Sequence, residues 1–147
     1  IDYDQYLKTN PVYITLEQLK KLKNDGFGIA SHGWDHPFYN QLSVENQLEN
    51  TQKALDYMAE NQFYNDSFAF PFTDHLVTNH FFDSIFLRNP ALKFTFGAAG
   101  IKKDSYSRNI QRVPMEIGNY PAQKLLKNEI IYYQFLKLLH KNIINRS

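Results

Sequence analysis

Stretches with helical periodicity alternate with short apolar runs along most of this chain, and that alternation restricts the fold more than any single motif. Thr15 stands three residues before Gln18, the spacing of a capping box, and Leu16, Leu19 and Leu22 follow at helical intervals. Lys20, Lys21 and Lys23 take the other faces and the last turn, where positive charge suits a helix C-terminus. Gly26 is then the expected left-handed cap. Phe27 to Ser31 reads as a short buried strand. Ser43 caps a second helix that runs to about Asn61, with Val44, Leu48, Leu55 and Met58 on one face. Ser67 to Pro71 reads as the next strand, and Val77 to Leu87 as a helix ending before Asn89-Pro90. Leu92 to Phe96 is a third strand, and Ile110 to Met115, interrupted by Pro114, a weaker fourth. From Ala122 to about Ile144 the apolar spacing predicts one long amphipathic helix. The order predicts an α/β fold on a mostly parallel sheet. No strand precedes the first helix, so the 147 residues read as a single domain entered part-way, incomplete at its N-terminus.

Composition removes several function classes. Aromatic residues make up 16% of the chain, more than a disordered segment carries, so a packed core is expected. Sixteen Lys and Arg against 15 Asp and Glu give a formal net charge of +1, and no basic block occurs, so nothing points to nucleic acid. No apolar run approaches the length of about 18 residues that would span a bilayer. Without cysteine there is no disulfide, thiolate ligand or Cys nucleophile.

The chemistry-bearing feature is the loop Ser31-His32-Gly33-Trp34-Asp35-His36-Pro37. It follows a strand, at the position where β/α folds place their sites. The H-x-x-x-H spacing lets two imidazoles reach one point from a single turn, and neutral imidazole suits divalent metals. Pro37 disfavours helical geometry at His36, so the turn is expected to end there.

The run Gly26-Phe27-Gly28-Ile29-Ala30-Ser31-His32-Gly33-Trp34-Asp35-His36 resembles the second motif of polysaccharide deacetylases, the NodB-homology group also called carbohydrate esterase family four. Phe68-Ala69-Phe70-Pro71-Phe72 resembles that family's third motif, in the right order and at a fitting distance. The resemblance covers Thr15 to Asp74, and Arg108 to Met115 is similar to a late strand. It implies a partial or distorted (β/α) barrel. It also implies metal-dependent hydrolysis of acetyl groups, mostly N-acetyl, from sugar polymers, with a carbohydrate substrate and a cell-envelope or secreted location. His32 and His36 are then the metal ligands, with zinc the foremost metal. Phe72 offers its backbone N–H to the oxyanion, Phe70 and Pro71 shape a groove wall, and Asp74 lies on the substrate side.

Departures from the family pattern mark where the resemblance thins. The Asp-Asp motif that supplies the third ligand and the base has no match, since Asp2 and Asp4 stand too close to the first helix. Gly33 replaces a Ser or Thr, and Ala69 an Arg. Leu138-Leu139-His140 spells the family's late histidine motif, which makes His140 a candidate acid, yet the helical period makes it a helix-end residue. Two alternatives stay open: a non-catalytic glycan- or metal-binding module, and a hydrolase of non-peptide C–N bonds in a small molecule. A Phe27–Ser31 strand without an upstream neighbour would also leave an edge through which the chain self-associates.

Overall fold

The computed structural model describes residues 5–7, 13–115 and 120–146, so Asp2 and Asp4 lie outside the described residues. Helix α1 (Leu16–Asn24) begins at a complete capping box, with the Thr15 and Gln18 side chains each accepting from the other's backbone N–H. Helix α2 (Val44–Glu60) is capped by Ser43, and α3 (Asn79–Arg88) by Thr78. The strands are β1 (Ser67–Ala69), β2 (Phe94–Gly97), β3 (Lys103–Asp104) and β4 (Asn109–Gln111). Helix α4 (Ala122–Leu138) and strand β5 (Ile143–Ile144) follow.

Strands β1, β2 and β4 form one parallel sheet in that order, and β3 pairs with β5 in a second, two-stranded one. The segment before the histidine loop runs parallel to β1, with a bridge at Ser31 and Ala69 N–H donating to Ser31 O at 2.9 Å. Among the described residues the architecture is α/β with an open sheet, not a closed barrel. Helices α2 and α3 cover one face. Between them and the sheet lies a core of Tyr39, Leu48, Leu55, Phe68, Phe70, Phe81, Phe82 and Ile85, whose rings meet mostly edge to face.

Two expectations are corrected. Phe27 to Ser31 is not a buried strand: Phe27 is 60% exposed and only Ser31 is buried. Among the described residues the run has a sheet neighbour on the β1 side only, so its apolar residues are not all covered. The long C-terminal helix stops at Leu138. There His140 enters the left-handed region (φ 55°), with Lys141 N–H donating to Leu136 O and His140 N–H to Lys137 O. This is a Schellman ending, and it frees Ile143 and Ile144 to pair with β3. Gln62 and Gly26 close α2 and α1 in the same way.

A buried ionic cluster ties the chain's last described residue to the sheet. The Arg146 guanidinium donates to the carboxylates of Asp74 and Asp104 and to the carbonyls of Asp74 and Val77. Both ion pairs are almost wholly out of solvent. Asn109 and Gln111 of β4 each donate to both carboxylates at 2.7–2.9 Å. Gly97 is required beside them, since a Cβ there would stand 2.2 Å from Asp74 Oδ2.

Burial alone would raise the pKa of Asp74. The Gln111 hydrogen bond, the Arg146 charge and the Asn109 hydrogen bond outweigh it and hold the carboxyl below its ordinary value. Asp104 is likewise held low: burial is outweighed by bonds from Arg146, the Tyr106 N–H and Asn109. The stability these carboxylates contribute is therefore complete above about pH 4 and is lost as the pH falls through their depressed values. Arg146→Met leaves both carboxylates buried without a cation, and urea unfolding at pH 7 is expected to show a loss of about 3–5 kcal/mol. The deficit should narrow on acidification, as the unpaired carboxylates protonate. An equal deficit at both pH values would contradict the ionic reading.

Candidate active site

Residues 32–36 form an irregular bend rather than the helical turn expected from their spacing. Two positive φ values reverse the loop, Gly33 at 84° and His36 at 54°. A side chain at Gly33 would also be crowded, because a Cβ would meet the Pro71 ring at 3.1 Å and Asn50 Oδ1 at 3.3 Å. Asn50 of α2 pins the loop by accepting from Trp34 N–H (2.9 Å) and the Tyr39 hydroxyl (3.2 Å).

Within this frame the two imidazoles converge. His32 Nδ1 lies 2.9 Å from Ala69 O and donates to it, since a carbonyl only accepts. That fixes the tautomer and turns the Nε2 lone pair toward His36, whose Nε2 is within hydrogen-bond distance, so the same lone pair is the one a metal would take up. His36 Nε2 lies 3.2 Å from His32 Nε2. Two nitrogens on one tetrahedral ion, each at about 2.0–2.1 Å, stand about 3.3 Å apart. The pair thus has the separation that a shared divalent ion requires. Among the described residues no group of three or more His, Cys, Asp or Glu side chains converges on such a point.

Around the pair is a small cavity of about 280 Å³, lined by His32, His36, Phe72, Ala98, Arg112, Val113 and Pro114. It lies beyond the C-terminal ends of β1, β2 and β4. Phe72 has a left-handed backbone (φ 52°), and Thr73 N–H donates to Pro71 O across it at 2.5 Å. Its ring meets His36 edge-on at 4.5 Å and stacks on Phe38 at 4.0 Å. Among the described residues nothing accepts a hydrogen bond from Phe72 N–H.

The other sequence candidates fall elsewhere. Phe70 is fully buried in the core, between Tyr39, Phe68, Phe81 and Phe82, so its ring belongs to packing and not to a groove wall. Pro71 is also buried, against Gly33. Asp74 is 2% exposed and spends its carboxylate on Arg146, Asn109, Gln111 and Ala98 N–H, which corrects its placement on the substrate side. His140 sits at the end of α4 and does not line the histidine cavity.

Arg112 is the residue that the sequence reading passed over. Its guanidinium is held by Gly97 O (3.0 Å) and Phe70 O (2.9 Å), and it lines the cavity beside His32. Its position directly after β4, at a strand's C-terminal end, was the available signal. Burial lowers the His32 pKa. The charges of His36 and Arg112 add to that, against the Ala69 hydrogen bond, so His32 stays neutral and able to bind metal at lower pH than a free imidazole.

Comparison with models of protein families matches residues 4–80 to the one described as polysaccharide deacetylase, a span that includes His32, His36 and Phe72. No curated protein and no solved structure matches the chain.

An NMR titration of the metal-free protein checks the electrostatics. His32 is expected to titrate below about 6.5 and to carry its neutral-state proton on Nδ1. A midpoint above that value, or the other tautomer, would contradict the Ala69 hydrogen bond and the burial described here.

Proposed function

The chain belongs to the polysaccharide deacetylase family, and we propose that its site removes acetyl groups, N-acetyl foremost, from a polysaccharide or another acylated sugar with a divalent ion, zinc foremost, held by His32 and His36. The observation that carries the reading is the 3.2 Å approach of the two Nε2 atoms at the C-terminal end of a parallel sheet. The sheet supports it as well. The segment at Ser31, β1, β2 and β4 lie side by side in chain order and all parallel, an order that supports reading the sheet as part of a distorted (β/α) barrel.

An amide is a poor electrophile, and water a poor nucleophile at neutral pH. A divalent ion at the histidine pair would supply the positive charge that corrects both. The protein's own residues do the rest. Ala69 O holds the His32 ring so that Nε2 faces the cavity. The left-handed turn at Phe72 leaves its N–H available to the oxygen on which negative charge builds. Arg112, fixed by two carbonyls, adds a positive field at the same cavity.

A second reading rests on one observation: no third acidic or histidine side chain reaches the pair among the described residues. Under that reading the domain binds metal or glycan without turnover.

Acetate release from acetylated chito-oligosaccharides separates the two. Zinc-dependent release that His32→Ala or His36→Ala abolishes is expected. The rate should be low, because no third acidic side chain reaches the pair among the described residues and loss of a general base alone costs about 10²–10⁴. Zinc binding without release would favour the non-catalytic module. Release that ignores both zinc and the histidine substitutions would overturn the proposed site.

A further inference from the structure

Helix α4 carries more exposed apolar surface than a solvated helix needs. Leu136 is its one buried residue. Ile131 and Phe135 are each 58% exposed and Leu138 80%, and together with Leu139 they fall at i, i+4, i+7 and i+8 along one stripe. Lys124 continues this stripe toward the N-terminus and Lys127 flanks it, while Lys137 and Lys141 lie at and beyond the helix's C-terminal end. The helix's one carboxylate, Glu129, is turned inward, its Oε2 accepting from Ile101 N–H at 3.2 Å. The surface offered outward is therefore apolar and positive.

The outer side of α2 has the complementary character. Glu45, Glu49, Asp56 and Glu60 line a cleft of about 720 Å³ whose apolar lining includes Trp34 and Tyr57, in edge-to-face contact at 5.7 Å. Against those four carboxylates the lining has two cations, Lys53, which lies over Trp34, and Arg88. Each helix has 17 residues, a length of about 25 Å, so the two surfaces also match in extent.

We propose that α4 of one copy docks in the α2 cleft of another, a helix-in-groove contact between unlike surfaces of the same chain. The occupant is a second copy because this chain carries both halves of the complement. Docking α4 on α4 would oppose lysine to lysine, and an anionic lipid surface would leave the acidic cleft unmatched. The contact is head-to-tail, so it passes from copy to copy, as a closed ring or an open chain, and the assembly grows with concentration. Its charged part weakens with salt, because it lies at the surface.

The test is sedimentation velocity across a dilution series with two charge-reversed variants, Lys124→Glu/Lys127→Glu and Glu49→Lys/Glu60→Lys. All four positions are exposed, and unchanged thermal unfolding establishes that both variants are folded. The wild type is expected to associate as concentration rises, and each variant to do so at least about tenfold more weakly. An equimolar mixture of the variants should associate again, because the acidic helix of one meets the basic cleft of the other. A wild type that stays monomeric throughout, variants that associate like the wild type, or a mixture that fails to recover would each overturn the proposal. So would a monomer that co-sediments with phosphatidylglycerol vesicles through α4, which would assign the helix to lipid.

Discussion

One residue joins the sheet to the chemistry. Ala69, the last residue of β1, donates its N–H to Ser31 O and accepts the His32 Nδ1 proton on its carbonyl. The first bond sets the register of the incoming segment, and the second sets the orientation of the first imidazole. A slip of one residue would turn Ala69 O to the other side and leave the His32 ring without its partner. The short sheet thus does more than bury phenylalanines. Its C-terminal edge is the frame against which the histidine loop, the Phe72 turn and Arg112 are all positioned.

That frame explains why local signals were easy to read and long-range ones were not. The capping box at Thr15 and Gln18, the Ser43 cap and the left-handed Gly26 depend on neighbours within a few residues, and each formed as expected. The histidine pair was legible because both members lie in one loop, although its path was not. The structure uses positive φ at Gly33 and His36 where a helical turn had been expected. The role of Asp74 depends on Arg146, 72 positions away, and on β4. Nothing near Asp74 in sequence announces that partner, so an acidic residue close to a motif looked like a site residue. Phe70 misled for the opposite reason, since its motif position is shared with groove residues while its burial is set by α3.

The end of α4 shows how a cap can outweigh periodicity. The apolar spacing continues past Leu138, yet the chain leaves the helix because two hydrogen bonds close it and the isoleucines that follow gain a strand partner in β3. Arg146 is then carried back to Asp74 and Asp104. The Asp74 carboxylate also receives Ala98 N–H, and Ala98 lines the histidine cavity. The C-terminal segment thereby braces one side of the site with a buried ionic cluster. The other side is braced by Asn50 on α2, through Trp34 N–H and the Tyr39 hydroxyl.

The central claim is that His32 and His36 present their Nε2 atoms to a single divalent ion. X-ray absorption on the zinc-loaded protein tests it without relying on turnover. The geometry predicts one zinc per chain with two imidazole nitrogens at about 2.0–2.1 Å, and one imidazole fewer after His36→Ala. Zinc bound with no imidazole in its shell, or a spectrum unchanged by His36→Ala, would contradict it.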